Sequence, residues 1–299
     1  MKKTVFSWGP LVVLLGLAAC NSGSNSSSSQ TTTQAPETAK DSSGVTAGWR
    51  IGVQLWTFHE FPFVTAIEKA DSAGVKYIEA FPGQKMGGDF GKNAVFGYDL
   101  SPADRAKVKQ LLQAKGITMV AMGVVSPDTP DQWKKTFDLA KDMGLEYITA
   151  EPKDDQWNLV DSLAGAYGIK VAIHDHPRPS HYWSPDSVLA AVKGHPNLGS
   201  CADVGHWSRS GLDVVDCLKK LEGHIIGVHF KDVKEFNKTD AEDVITGTGV
   251  NKFPEIFAEL KRQGFHGLFS IERENNWQHN VPDVIAEVKF FHDQVAQLK

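Results

Sequence analysis

The chain has 299 residues, 41% hydrophobic, 22% charged and 10% aromatic, with a formal net charge of −5 at pH 7. This balance excludes a coiled coil, a collagen-like repeat and a wholly disordered chain. Slight acidity without any basic run argues against a nucleic-acid partner.

Lys2 and Lys3 precede an apolar run over residues 8–19, which closes in Leu17-Ala18-Ala19-Cys20. Twelve residues are too few for a hydrocarbon layer of about 30 Å, so 1–19 reads as a signal peptide. A cysteine directly after small residues resembles the lipobox of bacterial lipoproteins, which makes Cys20 the expected lipidation site. Residues 21–48 hold eight Ser and five Thr and bury too little apolar surface to offset their ordering entropy, so 20–48 is the lipidated cysteine and a flexible tether. The expectation is an exported protein anchored by its lipid, with Asn21 favouring the outer membrane.

Residues 49–299 show no further composition break and carry a net charge of −6. β-prone runs fall at 51–58, 76–81, 117–124, 146–151, 170–174, 198–203, 225–230 and 268–272. Helical stripes separate them. One places Phe253, Ile256, Phe257 and Leu260 at i, i+3, i+4 and i+7, and the last places Val281, Val284, Ile285 and Val288 on one face. Gly74, Gly116, Gly144, Gly168, Gly194, Gly223 and Gly264 mark the seven helix-to-strand junctions, where a left-handed residue closes a helix. Eight strands and eight helices over about 250 residues predict one domain, an α/β (β/α)8 TIM barrel. Cys201, in a strand, and Cys217, on an apolar helix face, read as buried free thiols.

Catalytic groups of such barrels gather at the C-terminal strand ends. Here those ends carry Gln54 with Trp56, Glu79, an apolar third strand, Glu151, His174 with His176, Asp203, His229 with Lys231, and Glu272 with Glu274. Charged side chains are depleted in strands and seldom buried unpaired, so five neighbouring strands ending this way point to one site. His174, Asp203, His229 and Glu272 come from four adjacent strands and can converge on one divalent ion. Mixed nitrogen and oxygen donors suit Mn²⁺, the favoured ion, or Zn²⁺, Co²⁺ or Fe²⁺ better than Ca²⁺. Glu151 is then a fifth ligand or a free base. Trp56, Trp157, Trp183, Trp207 and Trp277 fall in strand-to-helix connections, and five indoles around one rim favour a carbohydrate-sized pocket. Of these, Trp56, Trp183 and Trp207 are taken as substrate contacts, with His176 and Lys231.

Asp203-x-x-His206, His229-x-Lys231-Asp232 and the final Ser270-Ile271-Glu272 together resemble the xylose isomerase-like barrels, the sugar phosphate isomerase/epimerase family, over the whole core. The resemblance implies that Asp203, His229 and Glu272 are metal ligands and that His206 contacts substrate hydroxyls. One position departs from the family: its epimerases carry a glutamate at the end of the fifth strand, where this chain has His174. The expected activity is isomerisation or epimerisation of a non-phosphorylated sugar, begun by Glu151 or Glu272 removing a proton beside a metal-bound carbonyl. The alternatives are a lyase or hydratase acting on 3-keto-sugars or 3-keto-glycosides, as the exported branch of the family suggests, and a non-catalytic sugar-binding lipoprotein.

Overall fold

The structure, a computed structural model, describes Thr46 and residues 48–298. The signal peptide, Cys20 and nearly all of the tether lie outside the described residues. In chain order the strands are β1 (Arg50–Gln54), β2 (Tyr77–Ala80), β3 (Thr118–Val125), β4 (Tyr147–Ala150), β5 (Lys170–His174), β6 (Leu198–Asp203) and β7 (Ile225–Phe230). A short antiparallel pair follows, β8 (Asp232–Val233) with β9 (Asp243–Val244), and then β10 (Leu268–Ile271). Excluding that pair, the strands close a parallel barrel in the order β1-β10-β7-β6-β5-β4-β3-β2. The (β/α)8 TIM barrel is therefore the fold.

Around it lie α1 (Phe63–Ser72), α2 (Pro102–Lys115), α3 (Pro130–Met143), α4 (Trp157–Tyr167) and α5 (Pro185–Val192). They are followed by α6 (Val204–Arg209), α7 (Val214–Lys220), α8 (Phe253–Arg262) and α9 (Val281–Gln297). Helix α3 shows how local sequence sets these bounds. Thr129 and Gln132 form a reciprocal capping box ahead of Pro130, and Gly144 ends the helix at φ 75° with its N–H on the carbonyl of Ala140. All seven junction glycines have φ between 60° and 82°.

Two expectations need correction. The run 51–58 is not one strand: the Gln54 side-chain oxygen accepts the Trp56 N–H at 2.8 Å and caps a 3-10 turn over Leu55–Phe58. The connection after β6 carries two helices, so the described residues hold nine α-helices rather than eight, because Asp203 caps α6 with no intervening loop. Beneath the mouth the barrel is filled by Val120, Ala121, Tyr147, Ala172, Cys201 and Leu268. Outside it, Trp49, Phe230, Phe257, Phe269 and Phe291 pack the strands onto α8 and α9. Cys201 and Cys217 are buried and free. Among the described residues no helix is long and apolar enough to cross a membrane.

Candidate metal centre and active site

Strand register puts four ionisable ends at one level. His174 lies opposite Cys201, Asp203 opposite His229, and His229 opposite Ser270, two residues before Glu272. The side chains meet around Asp203 Oδ2, which is 3.8 Å from His174 Nε2, 3.7 Å from His229 Nδ1 and 3.6 Å from His206 Nε2. Glu272 Oε2 is 3.2 Å from His229 Nδ1. His174, Asp203, His206 and Glu272 each offer a donor atom within 4.8 Å of the others, which makes a buried candidate metal site. Asp203 serves both local structure and the cluster: its Oδ1 accepts the His206 N–H at 2.9 Å as the cap of α6, leaving Oδ2 inward.

Three inward atoms, His174 Nε2, Asp203 Oδ2 and His229 Nδ1, are buried without a hydrogen bond. Asp203 Oδ2 faces the Lys231 ammonium at 3.1 Å and His229 Nδ1 faces Glu272 at 3.2 Å, and the three atoms converge at separations that fit the ligand shell of a divalent ion. The outer nitrogens of the two imidazoles are fully engaged. His229 Nε2 lies 3.1 Å from Glu79 Oε2, a buried oxygen that also accepts from Ser270 Oγ at 2.9 Å. His174 Nδ1 lies 3.1 Å from Glu151 Oε1, which accepts from His176 Nδ1 as well.

A buried ammonium completes the cluster. Lys231 Nζ is 3.1 Å from Asp203 Oδ2, 2.9 Å from Glu272 Oε2 and 3.3 Å from Glu274 Oε2. Gly205 makes room for its stem: a Cβ there would come within 2.6 Å of Lys231 Cγ. Burial disfavours the charge on Lys231, but the surrounding carboxylates hold its pKa well above the usual value. Burial would also raise the Glu272 carboxyl, yet Lys231 and His229 bring it down to about 2. Glu151, similarly raised by burial, is brought to about 2 by the N–H groups of His174 and His176. For His206, burial dominates and Lys231 adds to it against Asp203, so the imidazole stays neutral far below its ordinary pKa. Its Nδ1 receives Arg209 Nη1 at 3.1 Å, and Arg209 is itself held by Asp243 and Glu274.

The mouth thus brings together Glu151, His174, His176, Asp203, His206, His229, Lys231 and Glu272. His176 is half-exposed, its ring 5.4 Å from that of His206. Trp56 stacks on His59 and meets Phe81 and Trp277 edge-on, forming a half-buried aromatic cluster after β1, β2 and β10. Trp183 is half-buried beneath the Arg178 guanidinium. Trp207 does not belong to the rim: it is wholly buried in the core, because α6 starts at the strand end and turns the indole inward. Sequence reasoning gave no site role to Glu79 or Arg209. The available signal for Glu79 was a lone carboxylate in an otherwise apolar strand, which burial obliges to find a partner.

A closed parallel barrel with a buried imidazole and carboxylate cluster at the C-terminal strand ends places a candidate metal site at the face where such barrels carry their active sites. The chain belongs to the xylose isomerase-like TIM barrel family, whose model matches residues 67–294. A crystal structure of an uncharacterized Parabacteroides distasonis protein is 36% identical, with a TM-score of 0.69 over 83% of this chain and 99% of that one. The zinc-bound IolI protein shares the fold at 19% identity, with a TM-score of 0.67 over 84% of this chain and 99% of that one. L-ribulose-5-phosphate 3-epimerase UlaE of Escherichia coli K12 is 32% identical over 127 residues, 42% of either chain. The chain thus spans about two fifths of the curated relatives it matches first.

Proposed function

We propose that the protein is a divalent-metal-dependent isomerase or epimerase of a non-phosphorylated sugar, with His174, Asp203, His229 and Glu272 holding the ion. The observation that carries this reading is the convergence of His174 Nε2, Asp203 Oδ2 and His229 Nδ1, none of them hydrogen-bonded, beside Glu272. The zinc in IolI and the epimerase activity of UlaE are consistent with it. When bound, the ion would supply Lewis-acid polarisation of a substrate carbonyl and its neighbouring hydroxyl.

The chain's own residues do the rest. Glu272, ionised at neutral pH, is the base that takes the proton from the carbon beside the carbonyl. Glu151 is the other candidate, its Oε1 shared by His174 and His176 as Glu272 Oε2 is shared by His229 and Lys231. His206 contacts a substrate oxygen, and Lys231, 3.3 Å from its Nε2, supplies positive charge where the carbonyl oxygen becomes anionic. His176, Trp56 and Trp183 are the substrate contacts this reading assigns. A non-phosphorylated substrate is consistent with the pairing of the nearby cations, since Arg209, Lys231 and Arg273 are each held by carboxylates.

The second reading, a lyase or hydratase on 3-keto-sugars, is favoured by one feature: β5 ends in the imidazole of His174 rather than a second carboxylate base. With one base, proton removal is completed by expelling a β-oxygen substituent instead of returning the proton to a neighbouring carbon. Product analysis by NMR on free and 3-keto sugars with metal-loaded protein separates the two. Unmodified sugar bound tightly without turnover overturns both and leaves a sugar-binding protein. The reading also includes export and a lipid at Cys20, resting on the N-terminal sequence. Cys20→Ser should release the protein from the membrane fraction with its activity intact, and continued membrane fractionation contradicts the anchor.

A further inference from the structure

Three buried or mouth-facing histidines in the site differ in what holds their outer nitrogen. His229 Nε2 faces the Glu79 carboxylate and His174 Nδ1 faces the Glu151 carboxylate. A carboxylate accepts only, so each of these nitrogens carries the proton, and in the neutral ring the inward nitrogen keeps its lone pair. The inward atoms are Nδ1 for His229, 3.2 Å from Glu272 Oε2, and Nε2 for His174; both are buried without a hydrogen bond and within 3.8 Å of Asp203 Oδ2, the side on which the ion would bind. His206 differs, with a cationic donor at each ring nitrogen: Arg209 Nη1 lies 3.1 Å from Nδ1 and Lys231 Nζ lies 3.3 Å from Nε2.

We propose that Glu79 and Glu151 are positioning residues that fix His229 and His174 in their ion-binding tautomers. This rests on the metal reading above and assigns the two glutamates through geometry alone. Glu79 reaches His229 from β2, which is not a neighbour of β7 in the barrel, and Ser270 Oγ on β10 steadies the same oxygen. Glu151 joins His174 to the half-exposed His176. Carboxylates behind metal-binding imidazoles typically alter ion affinity about 10–100-fold when removed.

The test measures Co²⁺ and Zn²⁺ affinity of the full chain by chelator competition, with thermal melting of the metal-free proteins as the folding control. Glu79→Ala and Glu151→Ala should bind either ion about 10–100-fold more weakly. Glu79→Gln and Glu151→Gln should recover much of the loss, because an amide oxygen still accepts the imidazole N–H. Since Glu79→Ala removes a buried partner and can fail to fold, ¹⁵N NMR of the parent protein loaded with Zn²⁺ provides a second reading. The retained imidazole protons should sit on His229 Nε2 and His174 Nδ1. Unchanged affinity in both alanine variants, or the reverse proton placement, overturns the assignment. Failure of the parent protein to bind either ion overturns the metal reading itself, and this inference with it.

Discussion

The ammonium of Lys231 stands 3.1 Å from Asp203 Oδ2 with both side chains wholly buried. The same nitrogen reaches Glu272 and Glu274, so one fixed cation balances three carboxylates at the floor of the mouth. Removing one partner of a buried ion pair is costly because the remaining charges lose their compensation. Lys231→Met should therefore destabilise the metal-free protein by about 3–5 kcal/mol. A divalent ion should restore more stability to the variant than it adds to the parent, since it replaces the missing charge. Thermal melting with and without Zn²⁺ checks both statements, and equal gains would contradict the shared electrostatic role.

Trp207 and Trp277 separate packing from recognition. Trp207→Ala opens a cavity in the core and should cost about 3–5 kcal/mol in urea unfolding. Trp277, half-buried against Trp56 and His59, should cost less, and its replacement should weaken the fluorescence change on sugar binding. A Trp207→Ala protein of normal stability would return that residue to the rim.

Glu287 on α9 provides a pH test away from the ligand cluster. Burial raises its carboxyl to about 7 from an ordinary 4.5, against the opposing pull of Arg273 at 2.9 Å. A raised carboxyl favours the folded state fully below the unfolded pKa, and that contribution is lost as pH climbs through the folded one. The parent protein should lose stability relative to Glu287→Gln between about pH 4.5 and 8. Melting temperatures that run parallel for the two proteins over this range would contradict the shift.

Much of this was written in local sequence, because barrel strands are short apolar runs and their junction glycines need φ values that other residues resist. Alternation could not distinguish strand from 3-10 turn at Leu55–Phe58, since the deciding contact is the Gln54 side chain on a backbone N–H. The α6–α7 pair and β8–β9 were hidden in connections whose shape depends on caps and on tertiary bonds. Asp232, for example, gathers the N–H groups of Gly247, Gly249 and Asn251 across the hairpin. In the site, His174, Asp203, His229 and Glu272 were legible because each ends a strand. The parts played by Glu79 and Arg209 were not, since they follow from which atom each meets: Glu79 pairs with a histidine 150 residues away, and Arg209 turns its donors onto the ring of His206.

The central claim is proton abstraction beside a carbonyl at the metal-loaded mouth. Its most direct measurement incubates the full chain, loaded with Mn²⁺ or Zn²⁺, with ketoses and 3-keto-sugars in D₂O, followed by ¹H NMR and mass spectrometry. The account predicts metal-dependent loss of the proton on the carbon next to the carbonyl, abolished in Glu272→Gln. Isomerisation or epimerisation leaves a product with one deuterium and an unchanged molecular formula, whereas elimination changes the mass by one water or releases an aglycone. Absence of exchange with every ketose and keto-sugar, in protein shown to hold its ion, would contradict the account.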